Sequence, residues 1–476
     1  MFKFISAYRF EVFGSILFLT LFYFLTSNVP IFGDANSKSV RATWFFDHNF
    51  SQFTVPTEIS AGHPPLWELL IAFSWKLFGR QLEISRLLLL IFNILAYWQL
   101  IRFFRDNRGT AVPRFAILLI LIEPVLLAQT VFVNNDMMLL FFTLLALNSI
   151  YRNEKLLYSI ALTGVLFSNL RGVSVFAALV LIDILYSWFR LKKENQKLLW
   201  QSYIMPILLF CGFLIYHYQL LGWVLKVPHH SHRELASVGQ MIHNLLAIIK
   251  NTIDYGHLFI YGLVILLTVK LFKTKKWKQI SAENKRLILS FAVFFGVFSG
   301  LFIMVTNPLG PRYYLITYLI IGILCINLIF EIIQNLKIRR LTVAFMAAVY
   351  ITGHFWIWPP TIAQGWDATL VSLAYFPLRD KMENYIEENH LKKEEIGTEL
   401  ILNQPEFTDL KEPAASFFAD LDTSKNKYII FSNIDNQTSD EDIYLLEHKW
   451  ILVKSYKRLG VFMNLYKNPD FKSSEN

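Results

Sequence analysis

A handful of ionisable side chains stand where long apolar runs give way to short polar connections. They are Asp34 in IFGDANSKS, His63 in SAGHPPL, Arg86 in EISRLLLL, Asp136 in FVNNDMMLLFF, Arg171 in SNLRGV and Arg312 in NPLGPRYYLI. Carboxylates among several cations suit a negatively charged lipid head group. A guanidinium matches the geometry of phosphate oxygens. A carboxylate within hydrogen-bond reach can take the proton of a hydroxyl that is otherwise a poor nucleophile, and fixed cations meet the charge that develops on a departing phosphate. Each residue alone has a plainer explanation: a capping aspartate, an arginine anchoring a helix among head groups, a surface histidine before two prolines. Their combination and order carry the case.

The elements that must position them are membrane spans. Of 476 residues, 54% are hydrophobic, 16% aromatic and only 17% charged, with a mean hydropathy of +0.41, outside the range of an ordinary soluble protein. The apolar residues fall in blocks of roughly 20, the length that crosses about 30 Å of hydrocarbon. Eleven spans are predicted, near 11–32, 84–104, 112–131, 137–151, 156–170, 173–190, 198–221, 252–272, 286–305, 312–333 and 340–358. The first has a basic flank but no small-x-small cleavage site, so it reads as a retained span.

The stretch SAGHPPLWELLIAFSWKLFG, residues 60–79, decides the parity. Its apolar part is too short for a comfortable crossing and contains Glu68 and Lys76. Those two fall with Ala72 and Arg80 on one face, and Leu69, Leu70, Phe73 and Leu77 on another, the pattern of a helix lying in the interface. Proline in the first turn loses no needed N–H, so HPPL reads as a helix start. With this stretch on the outer surface, the inner loops hold twenty Lys and Arg and the outer connections after the second span hold five. The positive-inside rule then puts the N-terminus in the cytoplasm. The basic inner loops account for the net charge of +9, and no nucleic-acid partner is needed.

Residues 1–375 thus form a transmembrane unit with two long outer loops, 33–83 and 222–250. From 376 to 476 the pattern becomes that of a small α/β domain on the outer side: PLRDKMENYIEENHLKKEE is an amphipathic helix, KYIIFSNI a strand, and WILVKSYKRLGVFMNLYK a hairpin turning near Leu459–Gly460. It has no glycine-rich nucleotide fingerprint, which favours a docking or lid role. Cys211 and Cys325 lie in apolar spans and read as packing residues. Glu123, inside the third span beside Pro124, lines a cavity or bonds backbone freed by the proline; Asp183 is expected to pair locally. His229, His230 and His232 in VPHHSHRE have a spacing able to hold a divalent cation with Asp34 or Asp136, though short histidine runs in loops are commonly incidental.

Taken in order, an acidic residue directly after the first span, HPPL opening a helix that ends in FG, RLL opening the next span, NDMMLLFF in the following outer turn and PRYYLI late in the chain resemble the polyprenyl-phosphate-dependent membrane glycosyltransferases of the C-type fold. That superfamily includes protein O-mannosyltransferases and the aminoarabinose transferase of lipid A. The resemblance covers about residues 10–150 specifically and the later spans loosely; the C-terminal domain matches no motif. It implies transfer of a sugar from a polyprenyl-phosphate-linked donor to an acceptor hydroxyl on a lipid, glycan or protein. The active site would face the periplasm of a bacterial inner membrane.

By carry-over Asp34 is the catalytic carboxylate. By the same carry-over His63 and Arg86 would contact the donor phosphate; Arg171 and Arg312 are further candidates for it by their guanidinium chemistry, and Asp136 or Glu123 is a candidate acceptor-side or second carboxylate. Some members need a divalent cation, Mg or Mn. The family often has Asp-Glu in the first loop, whereas Ala35 follows Asp34 here, which removes the second acid. One carboxylate acting opposite the leaving group predicts inversion at the anomeric carbon, by analogy with single-displacement glycosidases. The competing expectations are a transporter or flippase of lipid-linked saccharides, marked by repeats or broken spans, and a polymerase or ligase using diphosphate-linked donors.

Overall fold

The computed structural model describes residues 8–31, 33–193, 197–224, 226–228, 233–275, 280–306, 309–362, 365–399, 418–435 and 438–471. Helix α1 (Arg9–Leu25) leads into two helices of the first long connection, α2 (Asp34–Asp47) and α3 (Leu66–Phe78). The bundle continues with α4 (Leu82–Asn107), α5 (Ile117–Leu121), α6 (Pro124–Gln129), α7 (Asp136–Arg152), α8 (Lys155–Ser168), α9 (Arg171–Trp188) and α10 (Gln201–Leu221). Then come α11 (Val238–Ile253), α12 (His257–Lys273), α13 (Ala282–Met304), α14 (Leu315–Ile332, entered through a tight turn at Pro311–Tyr314) and α15 (Leu336–Gly353).

A helix lies at every expected span, but the spans are not uniform. Among the described residues five segments are long and apolar enough to cross a membrane, α4, α9, α10, α13 and Pro311–Ile332, and α11 with α12 make a sixth only as a pair bent by 81°. The 14-residue α8 rises roughly 21 Å at about 1.5 Å per residue, short of a 30 Å hydrocarbon core. The expected span 112–131 is broken: α5 ends at Leu121, and Glu123 starts α6 afresh in front of Pro124, because proline supplies no N–H to continue the earlier helix.

Helix α4 packs against α1, α3 and α7; α7 packs on α8, and α14 sits between α12 and α13. Of the five long apolar segments α14 is the most enclosed, its residues Leu315 to Ile329 all buried. Large apolar side chains on the outer faces of α1 and α10, such as Phe13, Phe24, Leu208 and Ile215, remain exposed, as lipid-facing positions require.

Among the described residues the C-terminal part holds α16 (Tyr375–Glu388), α17 (Asp440–His448) and five strands, β1 (Ile396–Thr398), β2 (Ala419–Asp420), β3 (Tyr428–Ser432), β4 (Ile451–Arg458) and β5 (Val461–Lys467). Their order is β2-β1-β3-β5-β4, parallel at β2-β1-β3 and antiparallel beyond. Alternation along β3 sends Ile430 to the face covered by Leu378, Met382 and Ile386 of α16, and Ile429 and Phe431 to the face covered by Ile443 and Leu446 of α17. The β4–β5 hairpin turns through Leu459 and Gly460, both at positive φ, the two-residue loop whose twist suits paired strands. The α16 side of this sheet joins a hydrophobic cluster with Ala128 and Phe132 beside α6, so the C-terminal unit rests on the end of the bundle that carries the polar residues.

Candidate active site

Asp34 is the first residue of α2, where a carboxylate faces the positive end of the helix. Gly33 makes the entry possible. Its φ is +59°, and a Cβ there would meet the Trp366 indole at 2.6 Å. From Asp34 the α2 helix carries Lys38 one turn on and Arg41 nearly another, on the buried face with Ala35, Ala42 and Phe45. Asp136 opens α7, Arg171 opens α9, and Arg312 lies in the turn that opens α14. Three helix starts and the restart after α1 therefore converge at one end of the bundle.

Arg312 is the hub. Its guanidinium donates to the carboxylates of Asp34 and Asp367, and its Nε lies 3.7 Å from Asp136 Oδ2. Arg171 donates to Asp136 Oδ1 at 2.6 Å and stacks 4.1 Å over the Tyr313 ring. Lys38 Nζ donates to Asn134 Oδ1, and the same oxygen accepts from Asn135 N at 3.0 Å. Beneath them Arg41 and Glu68 form a closed pair at 3.0 Å. His63 accepts a hydrogen bond at Nδ1 from Leu170 N, at 3.3 Å, which leaves its proton on Nε2.

Burial is uneven, and that sorts the roles. Asp136, Asp367 and Arg312 have side chains under 10% exposed, whereas that of Asp34 is 54% exposed. Arg312, with help from Lys38, holds the Asp34 carboxyl well below the usual carboxylate range. Burial pushes the Lys38 ammonium down to about 8, opposed by Asp34. His63 is held well below its ordinary value, first by burial and then by Arg233, Arg41, Lys38 and Arg171, so it is a neutral donor among cations.

Of the residues expected from sequence, Asp34, Asp136, Arg171 and Arg312 meet in one cluster, and His63 reaches its edge through Leu170. Arg86 is directed elsewhere. It donates to Val29 O at 2.8 Å and Thr26 Oγ1 at 2.9 Å, tying down the chain just beyond the C-terminal end of α1. Glu123 is also committed elsewhere: it caps α6 through the backbone N–H of Val125 (3.1 Å) and Leu126 (2.6 Å) and meets His257 Nε2 at 2.9 Å. Asp183 pairs locally with Lys192 and Tyr203.

The face of α3 that the spacing groups as Glu68, Ala72, Lys76 and Arg80 divides, with Lys76 and Arg80 exposed. Glu68 and Ala72 turn inward with Trp67, Ile71 and Trp75, while Phe73, Leu77 and Phe78 are exposed. The Arg41 pair lets a carboxylate be buried, and the apolar side chains of the opposite flank stay exposed.

His229, His230 and His232 lie outside the described residues. Among the described residues no group of three or more His, Cys, Asp and Glu could hold a metal. The Arg312 guanidinium already occupies the position between Asp34 and Asp136 that a shared divalent cation would need.

Sequence reasoning missed Lys38 and Asp367. The i, i+4, i+7 spacing of Asp34, Lys38 and Arg41 was a signal for the first. Asp367 has none, being 55 residues from Arg312 and in no motif.

No protein-family model and no curated protein matches the chain. Solved structures similar to it include ArnT from Cupriavidus metallidurans bound to undecaprenyl phosphate, at 12% identity, covering 97% of this chain and 98% of that one with a TM-score of 0.49. The same protein in the apo state is 13% identical, with equal coverage and TM-score. At that distance the residues of the site have to carry the functional assignment themselves.

Proposed function

We propose that the protein is a membrane glycosyltransferase of the C-type fold. It moves a sugar from a polyprenyl-phosphate-linked donor to an acceptor hydroxyl at the outer face of a bacterial inner membrane, with the N-terminus cytoplasmic and residues 376–476 outside. One observation carries the assignment: a single well-exposed carboxylate, Asp34, is paired to a buried arginine at the polar end of an apolar helix bundle, with Lys38 and Arg171 close by.

In the chemistry this supports, the donor phosphate sits against Arg312, Arg171 and Lys38, with neutral His63 at the edge of the cluster, and the isoprenoid tail stays in lipid. Contact with the phosphate draws Arg312 from Asp34, whose carboxylate becomes basic enough to act. The acceptor oxygen attacks the anomeric carbon as its proton passes to Asp34. The bond from that carbon to the phosphate oxygen breaks, and its electron pair goes to the phosphate held by the cations. Attack opposite the leaving group inverts the anomeric centre. Asp136, locked by Arg171, orients the arginines. Arg86 enters this scheme only by bracing the chain between α1 and Asp34.

The experiment is release of free polyprenyl phosphate from a panel of polyprenyl-phosphate sugars, with and without a membrane extract as acceptor. Wild type should release it. Asp34→Asn, with unchanged thermal unfolding, should release about a hundredfold less or lower still, the scale of a lost general base. Equal release by the variant sinks the assignment.

A second reading, movement of lipid-linked saccharides without chemistry, is favoured by the meeting of two broken segments at Glu123 and His257. It would gain if no donor were consumed while labelled lipid crossed vesicles containing the protein.

A further inference from the structure

The short segment 365–369 runs from the bundle toward the C-terminal sheet and reaches into the site. Gly365 is pinned at both its N–H and its carbonyl by the buried Tyr255 hydroxyl, at 3.2 and 3.4 Å. A Cβ at Gly365 would stand 2.7 Å from that hydroxyl. Trp366 covers Gly33 and meets Phe132 edge-on at 5.6 Å. The carbonyl of Asp367 accepts from Gln129 Nε2 at 2.6 Å, and Ala368 N closes the turn onto Gly365 O at 2.9 Å. The two anchors come from the broken parts of the bundle: Gln129 ends α6, which Glu123 caps, and Tyr255 lies in the corner between α11 and α12, which His257 ties to Glu123. The result is a rigid presentation of one carboxylate, that of Asp367, to Arg312.

Charge explains what that carboxylate does. Asp34, Asp136 and Asp367 face Arg312, Arg171 and Lys38, so the cluster is balanced at rest. A phosphate brings further negative charge and needs guanidinium N–H groups that are already engaged. Asp34 is mostly exposed and carries the chemistry, and Asp136 is shared with Arg171. Asp367 is the carboxylate on Arg312 with no second cation among the described residues.

We infer that Asp367 is a positioning residue that occupies the phosphate's place on Arg312 and is displaced when the lipid phosphate binds, setting donor affinity and linking the site to the C-terminal unit through segment 365–369. This rests on the donor assignment above. Asp367 holds one arm of the buried guanidinium while Asp34 holds the other, so Arg312 is fixed between the two carboxylates.

The test measures binding of polyprenyl monophosphate, and of uncharged polyprenol, to the purified full chain in detergent through tryptophan fluorescence. Asp367→Asn should bind the phosphate about five- to thirtyfold more tightly, the change that loss of one competing charge at a close pair brings. Asp367→Glu, which keeps the charge, should stay near wild type. A residue that only supported the fold would give weaker binding when removed. Asp367→Asn binding equally or more weakly, with unchanged thermal unfolding, overturns the role. Should that variant not fold, Tyr255→Phe unpins Gly365 while leaving the carboxylate. It should bind more tightly than wild type, and equal or weaker binding overturns the role as well. Wild type that binds the phosphate no better than polyprenol overturns the donor assignment itself. Wild type that discriminates, with Asp367→Asn no tighter, overturns only the part given to Asp367.

Discussion

Replacing Arg312 by methionine removes the hub while keeping most of the side-chain volume. The structure indicates which partners suffer. Asp34 is 54% exposed and regains water, and Asp136 keeps Arg171 at 2.6 Å. Asp367 is 8% exposed and is left buried without its cation. Removing one partner of a buried ion pair costs about 3 to 5 kcal/mol, because the remaining charge is uncompensated. For 476 residues, an unfolding entropy of about 2.1 cal/mol/K per residue turns that into a fall of roughly 3 to 5 °C in unfolding temperature.

The assay is thermal unfolding in detergent of Arg312→Met, Asp367→Asn and the double variant. Because the loss in Arg312→Met comes mainly from one orphaned carboxylate, neutralising Asp367 should restore about half of it or more, a favourable coupling on the order of 2 kcal/mol. Both Arg312→Met proteins should also lose donor binding, so recovered stability without recovered binding separates the two jobs of Arg312. A double variant no more stable than Arg312→Met would refute the reasoning, since Asp367 would then not be the carboxylate that Arg312 compensates.

Two further expectations test other parts of the molecule. A Cβ at Gly172 would lie 1.9 Å from the Val165 carbonyl oxygen, so Gly172→Ala must push α8 and α9 apart beside Arg171. It should destabilise by about 1 to 3 kcal/mol and lower turnover further, whereas Gly212→Ala, with nothing within 4 Å, should leave both unchanged. Burial pushes the Asp435 carboxyl up to about 8, only partly opposed by its bond from Ser432 N. The fold therefore prefers the protonated form, and a penalty absent below the unfolded value near 3.9 grows as pH rises and levels off above about 8. Asp435→Asn should raise the unfolding temperature, and by more at pH 8 than at pH 5; an equal gain at both would show that the carboxyl is not perturbed.

The sequence by itself determined what is local. Apolar runs long enough to prefer lipid place helices at each expected span. The polar residues at their ends share a level because the helix boundaries do. HPPL starts a helix, and the alternation in KYIIFSNI and around Leu459–Gly460 builds strands and a tight turn, since those signals act within a few residues. Tertiary structure decided who meets whom at that level. Arg312 reaches Asp34 across 278 positions and Asp367 across 55, and no periodicity records such distances. Arg86 had the same type and setting as Arg171 but faces the end of α1, because the side of α4 on which it lies packs there. Glu123 was legible as costly inside an apolar segment, yet only the packing of α6 against the α11–α12 corner shows that it spends its charge on a helix start and a histidine. The buried face of α3 followed from Arg41, which compensates Glu68 from another helix and leaves the apolar flank exposed. Helix formation answers to neighbours along the chain, whereas burying a charge depends on a partner that only the folded bundle can bring.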